Sequence, residues 1–139
     1  MSDPSIASRP VVLVVEDQPI IRFNAVELVN QAGYEAVGAI NADEAIRILE
    51  ERTDIKVVFT DIEMPGTMDG MKLAHYVRER WPPIHLLIVS GRAIKTEGSL
   101  PANTRFFSKP YEDTSIVAEL KRLLAKPDES EPEIKTLKT

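Results

Sequence analysis

Glu16 and Asp17 close the apolar run Val11-Val12-Leu13-Val14-Val15, and Asp61 follows Val57-Val58-Phe59 with Thr60 between. Uninterrupted apolar runs of this length, set between helical patterns, read as strands of a parallel sheet buried on both faces. Ligands of an open parallel sheet lie at the carboxyl ends of its strands. Two strand ends therefore gather three acids. Like charges in one cleft repel, and each is costly to desolvate. A hard divalent cation such as Mg²⁺ relieves both costs, because it takes oxygen ligands and needs only a few carboxylates. Two further polar residues stand at the ends of later apolar runs. Ser90 follows Ile84-His85-Leu86-Leu87-Ile88-Val89, and Lys109 follows Arg105-Phe106-Phe107-Ser108 and precedes Pro110.

The elements that must hold these groups alternate strand and helix, which predicts a parallel sheet flanked by helices. Strands are expected over about 11–15, 34–38, 55–60, 84–89 and 104–107. The first helix is expected over about 19–32, with Pro19 in its first turn and Gly33 as its stop. A second spans about 42–52, where Asn41 is an N-cap and Glu44 stands three residues on, as in a capping box. Its stripe is Ala42, Ala45, Ile46 and Leu49. A third starts after Asp69, carries Leu73, Ala74, Val77 and Trp81 on one side, and ends before Pro82-Pro83. A last helix covers about 113–125 with Ile116, Leu120, Leu123 and Leu124 inward. Residues 91–103 hold Gly91, Gly98 and Pro101 with little helical period, so a loop with at most a short helix is expected there.

The order is acid pair, single Asp, hydroxyl, Lys. The local motifs are Val-Val-Glu-Asp-Gln-Pro (14–19), Thr-Asp-Ile-Glu-Met-Pro (60–65) with Met68-Asp69-Gly70, Val-Ser-Gly (89–91) and Ser-Lys-Pro-Tyr (108–111). This set resembles the receiver domain of two-component response regulators, over roughly residues 10–125. One such motif is common, whereas the whole set in order and at compatible spacing is specific. The resemblance implies a flavodoxin-like α/β fold, a doubly wound five-stranded parallel sheet of order 2-1-3-4-5. The chain departs from it in the shortened or missing fourth helix, and in one apparent extra residue near Gly66-Thr67.

The resemblance also implies roles. Asp61 is the phosphoacceptor, since a carboxylate attacks phosphorus to form an aspartyl phosphate. Asp17 and Asp61 bind Mg²⁺ directly, Glu16 acts mainly through water, and the Glu63 backbone carbonyl is a further ligand. Ser90 donates to a phosphoryl oxygen, with Gly91 leaving room, and Lys109 places a point charge on the same group. Phe106 is the switch aromatic that moves inward when Ser90 engages phosphate, and Lys109-Pro110 is a candidate cis bond. Each role has an ordinary counterpart: a solvated Asp at a strand end, acids favouring a helix dipole, a turn Ser, an exposed Lys, a core Phe. Glu63 and Arg92, two residues past Asp61 and Ser90, are expected to form a gate over the phosphoryl site. His75 and His85 fall on the third helix and fourth strand, away from the acids, and read as ordinary structural residues.

The chain has 139 residues, 43% of them hydrophobic, a net charge of −5 and a pI near 5.1. That fits one globular domain with a core. It argues against a direct nucleic-acid interface, which shows a basic face. The absence of Cys excludes thiolate chemistry and fits a cytoplasmic location. No apolar stretch reaches membrane-spanning length. Residues 1–9 and 126–139 read as mobile tails around a 10–125 domain. The expectation is a stand-alone signalling switch that turns over no external substrate. It is phosphorylated by a sensor histidine kinase or a histidine-phosphotransfer protein, and it acts on an unidentified downstream protein or serves as a phosphate shuttle or sink. Two rivals are a small Mg²⁺ phosphohydrolase with an Asp nucleophile and a phosphorylation-independent binding module. The first usually carries a second Asp where Glu63 stands, and the second usually lacks one of the key acids or the Lys.

Overall fold

The computed structural model describes residues 9–63, 69–91 and 100–125. The strands are β1 (Val11–Val15), β2 (Glu35–Ala39), β3 (Ile55–Asp61), β4 (His85–Ser90) and β5 (Thr104–Ser108). The described helices are α1 (Pro19–Gln31), α2 (Ala42–Glu51), α3 (Gly70–Arg80) and α4 (Asp113–Leu123). All strand pairs are parallel, in the order β2-β1-β3-β4-β5. The order inferred from the resemblance is thus the observed one.

Strand alternation divides the sheet residues between two cores. Val11, Leu13, Val15, Val58, Leu86 and Ile88 pack with Leu49 of α2 and with Leu73 and Val77 of α3. Val12, Val14, Val57, Phe59, Leu87 and Val89 pack with Val29 of α1 and with Ile116 and Leu120 of α4. A sheet covered on both faces takes apolar side chains on both, which is why β1 and residues 86–89 of β4 read as unbroken runs. Burying each such side chain stabilises the fold by roughly 1.5–3 kcal/mol before entropy is counted.

Local chemistry sets the boundaries. Pro19 stands in the first turn of α1, and Gly33 ends it at φ +105°, a conformation that glycine adopts without strain. Asn41 caps α2 by accepting from Glu44 N at 2.8 Å. Glu44 in turn accepts from Ile40 N at 2.7 Å, one residue before the position a capping box uses. Asp69 caps α3 by accepting from Lys72 N at 2.9 Å.

Three expectations shift. β2 begins one residue late because Tyr34 N still bonds to Val29 O at the end of α1, and it ends one late because Ala39 O receives Glu16 N. β3, β4 and β5 each run one residue further than expected, so Asp61, Ser90 and Ser108 lie inside the ladder. On α4, Leu123 and Leu124 are only half-buried, while Glu119 is buried at 7% exposure. Its Oε2 accepts from Arg105 Nε at 3.1 Å and from Arg122 Nη2 at 2.5 Å, and these cations pay for its burial. Residues 1–8, 64–68, 92–99 and 126–139 lie outside the described residues. The tails, the extra residue near Gly66-Thr67 and most of the expected 91–103 loop fall there.

Candidate phosphoryl-transfer site

Parallel register brings the polar groups to one edge of the sheet. Val15 is level with Thr60, Asp61 with Val89, and Ser90 with Ser108. Backbone bonds continue past the strand ends: Glu16 N donates to Ala39 O, Ile62 N to Val89 O and Lys109 N to Ser90 O, at 2.8–3.0 Å. These bonds fix where each side chain leaves the sheet. Glu16, Asp61 and Ser90 are buried, at 4%, 5% and 1% exposure.

Asp61 is the centre of the arrangement. Its Oδ2 accepts from Lys109 Nζ at 2.5 Å, and its Oδ1 accepts from Glu63 N at 3.2 Å. The Thr60 hydroxyl donates to the Asp61 carbonyl at 2.9 Å. Burial works against the Lys109 ammonium. The bond to Asp61 and the attraction of Asp61, Glu16 and Glu63 outweigh it and hold Lys109 above the ordinary lysine value. The Lys109-Pro110 bond is cis, as the resemblance implied. Tyr111 follows, edge-on to Phe59 with ring centres 6.2 Å apart.

Glu16 is the strained member. Burial pushes its carboxyl up to about 7, with the Gln18 N–H opposing and the neighbouring Asp61 and Asp17 carboxylates adding to the rise. Its Oε2 accepts from Gln18 N at 3.1 Å, and Arg22 Nη1 holds its backbone carbonyl at 2.9 Å. Glu16 therefore stands beside both Asp17 and Asp61. Among the described residues, no three His, Cys, Asp or Glu side chains converge in a cation-holding group. The donor set still has the chemistry of a hard dication site: oxygen ligands only, with excess negative charge that is partly buried.

Ser90 and Gly91 face Glu63. The Ser90 hydroxyl donates to Glu63 Oε2, and Gly91 N donates to Oε1 at 3.2 Å. Burial opposes ionisation of Glu63, but these donors and the Lys109 charge together hold its carboxyl below the ordinary value. Arg92, the other half of the expected gate, lies outside the described residues. Phe106 and Phe107 take opposite faces, Phe106 against the α2–α3 core and Phe107 against the α1–α4 core. Phe106 is level with Ile88, two residues from Ser90. His85 stands at the opposite end of β4, and His75 is exposed on α3, so neither reaches the acids.

Two features here were not assigned in advance. Gly70 opens α3 against the end of β3, where a Cβ would stand 2.0 Å from Asp61 O and 2.7 Å from Ile62 Cα. Gly70 N also donates to Ile62 O at 2.9 Å. The signal available was the glycine directly after the N-cap Asp69. The second feature is the Arg22 bond to Glu16, which no pattern announces.

The model of the response regulator receiver domain matches residues 12–121. The chain belongs to the response regulator receiver family. It is 33% identical over 121 residues to the sensor kinase CckA of Brucella abortus, covering 84% of this chain and 13% of that protein. It is 28% identical to the response regulator receiver protein CpdR of the same organism, covering 81% of this chain and 95% of CpdR. The response regulator TrrA of Thermotoga maritima, solved in complex with Mg²⁺ and BeF, has the same fold, with a TM-score of 0.72 at 24% identity over 82% of this chain and 98% of that one. A receiver domain is a phosphorylation-dependent signalling switch that takes a phosphoryl group onto an Asp. No helix among the described residues is long and apolar enough to cross a membrane.

Proposed function

We propose that Asp61 is the phosphoacceptor of this receiver and that Lys109 and Ser90 are the groups that hold the phosphoryl oxygens. The supporting observation is a buried carboxylate at the end of β3 that already carries a lysine ammonium 2.5 Å away. Phosphoryl transfer calls for alignment and charge neutralisation more than covalent assistance. An Asp61 oxygen attacks phosphorus and forms an O–P bond. The P–N bond of a phosphohistidine breaks, and the imidazole leaves with the electron pair and takes up a proton. Lys109, fixed on Asp61 and kept charged, meets the negative charge that the phosphoryl group brings.

Asp17, Asp61 and the Glu63 backbone carbonyl would hold Mg²⁺ directly, and Glu16 would act through water. Bound there, the ion supplies neutralisation of phosphoryl charge. The burial that raises the Glu16 carboxyl, with Asp61 and Asp17 adding to it, supports this assignment. The donor is a sensor histidine kinase or a histidine-phosphotransfer protein. Its approach is open beside Lys109, where Ile21, Leu28, Pro110 and Tyr111 line a cleft of about 640 Å³. Ser90 and Phe106 form the switch: when the Ser90 hydroxyl turns to phosphate, Phe106 follows and alters the β5 surface that a downstream protein reads.

No external substrate is turned over, so a generic phosphate ester should remain intact. The deciding experiment is incubation of wild type and Asp61→Asn with acetyl phosphate and Mg²⁺, followed by intact mass. A single phosphoryl adduct on the wild type alone supports the reading, and equal adducts on both proteins would remove Asp61 from it.

A further inference from the structure

Glu63 is the only carboxylate among the described residues that takes up both donors at the tip of β4, the Ser90 hydroxyl and the Gly91 N–H. A planar carboxylate with one oxygen on each donor presents the same pattern as two oxygens of a tetrahedral anion. Its own backbone N–H is bonded to Asp61 Oδ1 at 3.2 Å, so the carboxylate is tethered beside the acceptor. The Ser90 hydroxyl is nearly inaccessible to solvent and buried with its residue at 1% exposure. A hydroxyl bonded to a carboxylate is held more firmly than one bonded to a neutral acceptor, so Glu63 stabilises the resting orientation of Ser90.

We propose that the Glu63 carboxylate is a built-in competitor of the phosphoryl group, holding Ser90 and Gly91 N–H in the resting state and leaving them when Asp61 is phosphorylated. This rests on the reading of Asp61 as acceptor and of Ser90 as a phosphoryl ligand. A phosphoryl group on Asp61 carries about two negative charges at pH 7, about one more than the carboxylate it esterifies. Glu63 cannot share a hydroxyl with it, because Ser90 has one proton to donate and like charges at that separation repel. The phosphoryl group wins by its greater charge, and Glu63 turns out to the mouth of the site. Capture of Ser90 by phosphate and release of Glu63 are thus one event. The side chain length of Glu63 sets how much of the phosphoryl affinity is spent on displacing it.

The test uses fluoroberyllate, an acyl-phosphate mimic that binds only through the acceptor, its cation and these donors. Its apparent affinity for the full chain is read by ¹⁹F NMR at saturating Mg²⁺, for wild type, Glu63→Ala and Glu63→Asp. Alanine removes the competitor. Aspartate keeps the charge but withdraws the carboxylate by one methylene, so both variants should bind fluoroberyllate about threefold to tenfold more tightly, the scale of one charge-assisted hydrogen bond no longer displaced. Melting curves establish that each variant is folded, and the aspartate chain carries the test if alanine does not fold. Unchanged or weaker binding by a folded variant would overturn the competitor. Failure of the wild type itself to bind fluoroberyllate would instead overturn the phosphoacceptor reading on which this inference rests.

Discussion

Lys109 Nζ and Asp61 Oδ2 stand 2.5 Å apart, with the carboxylate 6% and the ammonium 28% exposed. The two lie at the ends of non-adjacent strands, β3 and β5, with Ser90 of β4 between them. Attraction in this setting is screened less than at the surface. Removing the cation leaves a buried carboxylate close to Glu16 with no counter-charge. Lys109→Met should therefore lower stability by about 1–3 kcal/mol and slow acetyl-phosphate labelling by at least about tenfold. Urea denaturation and a time course of intact mass measure the two effects. Labelling at the wild-type rate would show that the ammonium only neutralises Asp61 and does no work on phosphate.

Gly70 should tolerate no side chain. Its Cβ position lies 2.0 Å from Asp61 O and 2.8 Å from Asp61 C, both backbone atoms that cannot rotate away. Gly70→Ala must push α3 off the end of β3 or shift Asp61 itself. The expected loss is about 3 kcal/mol, the upper end of overpacking, together with loss of phosphorylation. Denaturation midpoints of wild type and Gly70→Ala decide it. A midpoint matching wild type would mean that the start of α3 slides freely, and would detach this glycine from the acceptor's placement.

Sequence reading recovered the sheet because both of its faces are buried, so runs such as Val11–Val15 and Leu86–Val89 have no polar interruption to confuse with a helix. It could place the acids, Ser90 and Lys109 at strand ends because each polar residue directly follows such a run, and strand register then carries them to one edge. It placed strand ends one residue short at Asp61, Ser90 and Ser108, because polarity looks like an ending while the ladder continues beneath it. Glu119 was missed for the converse reason: a charged residue on α4 is buried only because Arg105, distant in sequence, and Arg122 neutralise it. Arg78 is similar. Its guanidinium donates to the carbonyls of Pro82, Ile84, Ala102 and Asn103, tying the entry of β4 to that of β5. No spacing rule joins those four carbonyls. The engagement of Glu63 with Ser90 was likewise hidden, since the sequence shows which residues stand at the mouth but not which donors a flexible carboxylate selects.

Asp17→Asn should separate cation binding from folding. Asp17 contributes to the crowding around Glu16, so its neutralisation should leave the metal-free protein as stable as wild type or more so. The same change should abolish the stabilisation that Mg²⁺ gives the wild type and prevent phosphorylation of Asp61. Denaturation with EDTA and with saturating Mg²⁺ compares the two states. A mutant that gains as much from Mg²⁺ as the wild type would place the cation on other ligands.

Glu16 gives the metal-free protein a pH dependence of unusual sign. Its carboxyl is held at about 7 in the folded chain against 4.5 for an unperturbed Glu. Between those values the native state binds more protons than the unfolded state, so stability falls as pH rises. The contribution is fully present below about pH 4.5 and lost above about pH 7. Solvent reaching the edge of the sheet reduces it to roughly 1–3 kcal/mol. His85 acts oppositely in part of this window. Burial, with Arg78 and Arg122 assisting, lowers its value below 6.5, so its share is present above that pH and lost on acidification. Glu63 and Asp54, both lowered, act in a more acidic range. Comparison with Glu16→Gln cancels these other groups. In EDTA, wild type minus Glu16→Gln should become less favourable to wild type from pH 5 to pH 8. Saturating Mg²⁺ should flatten that difference, because a bound cation stabilises the ionised acids that the metal-free site resists. A difference that stays constant in EDTA, or that grows in favour of wild type with rising pH, would mean that Glu16 is already ionised in the folded protein and that its burial beside Asp61 and Asp17 carries no free-energy cost.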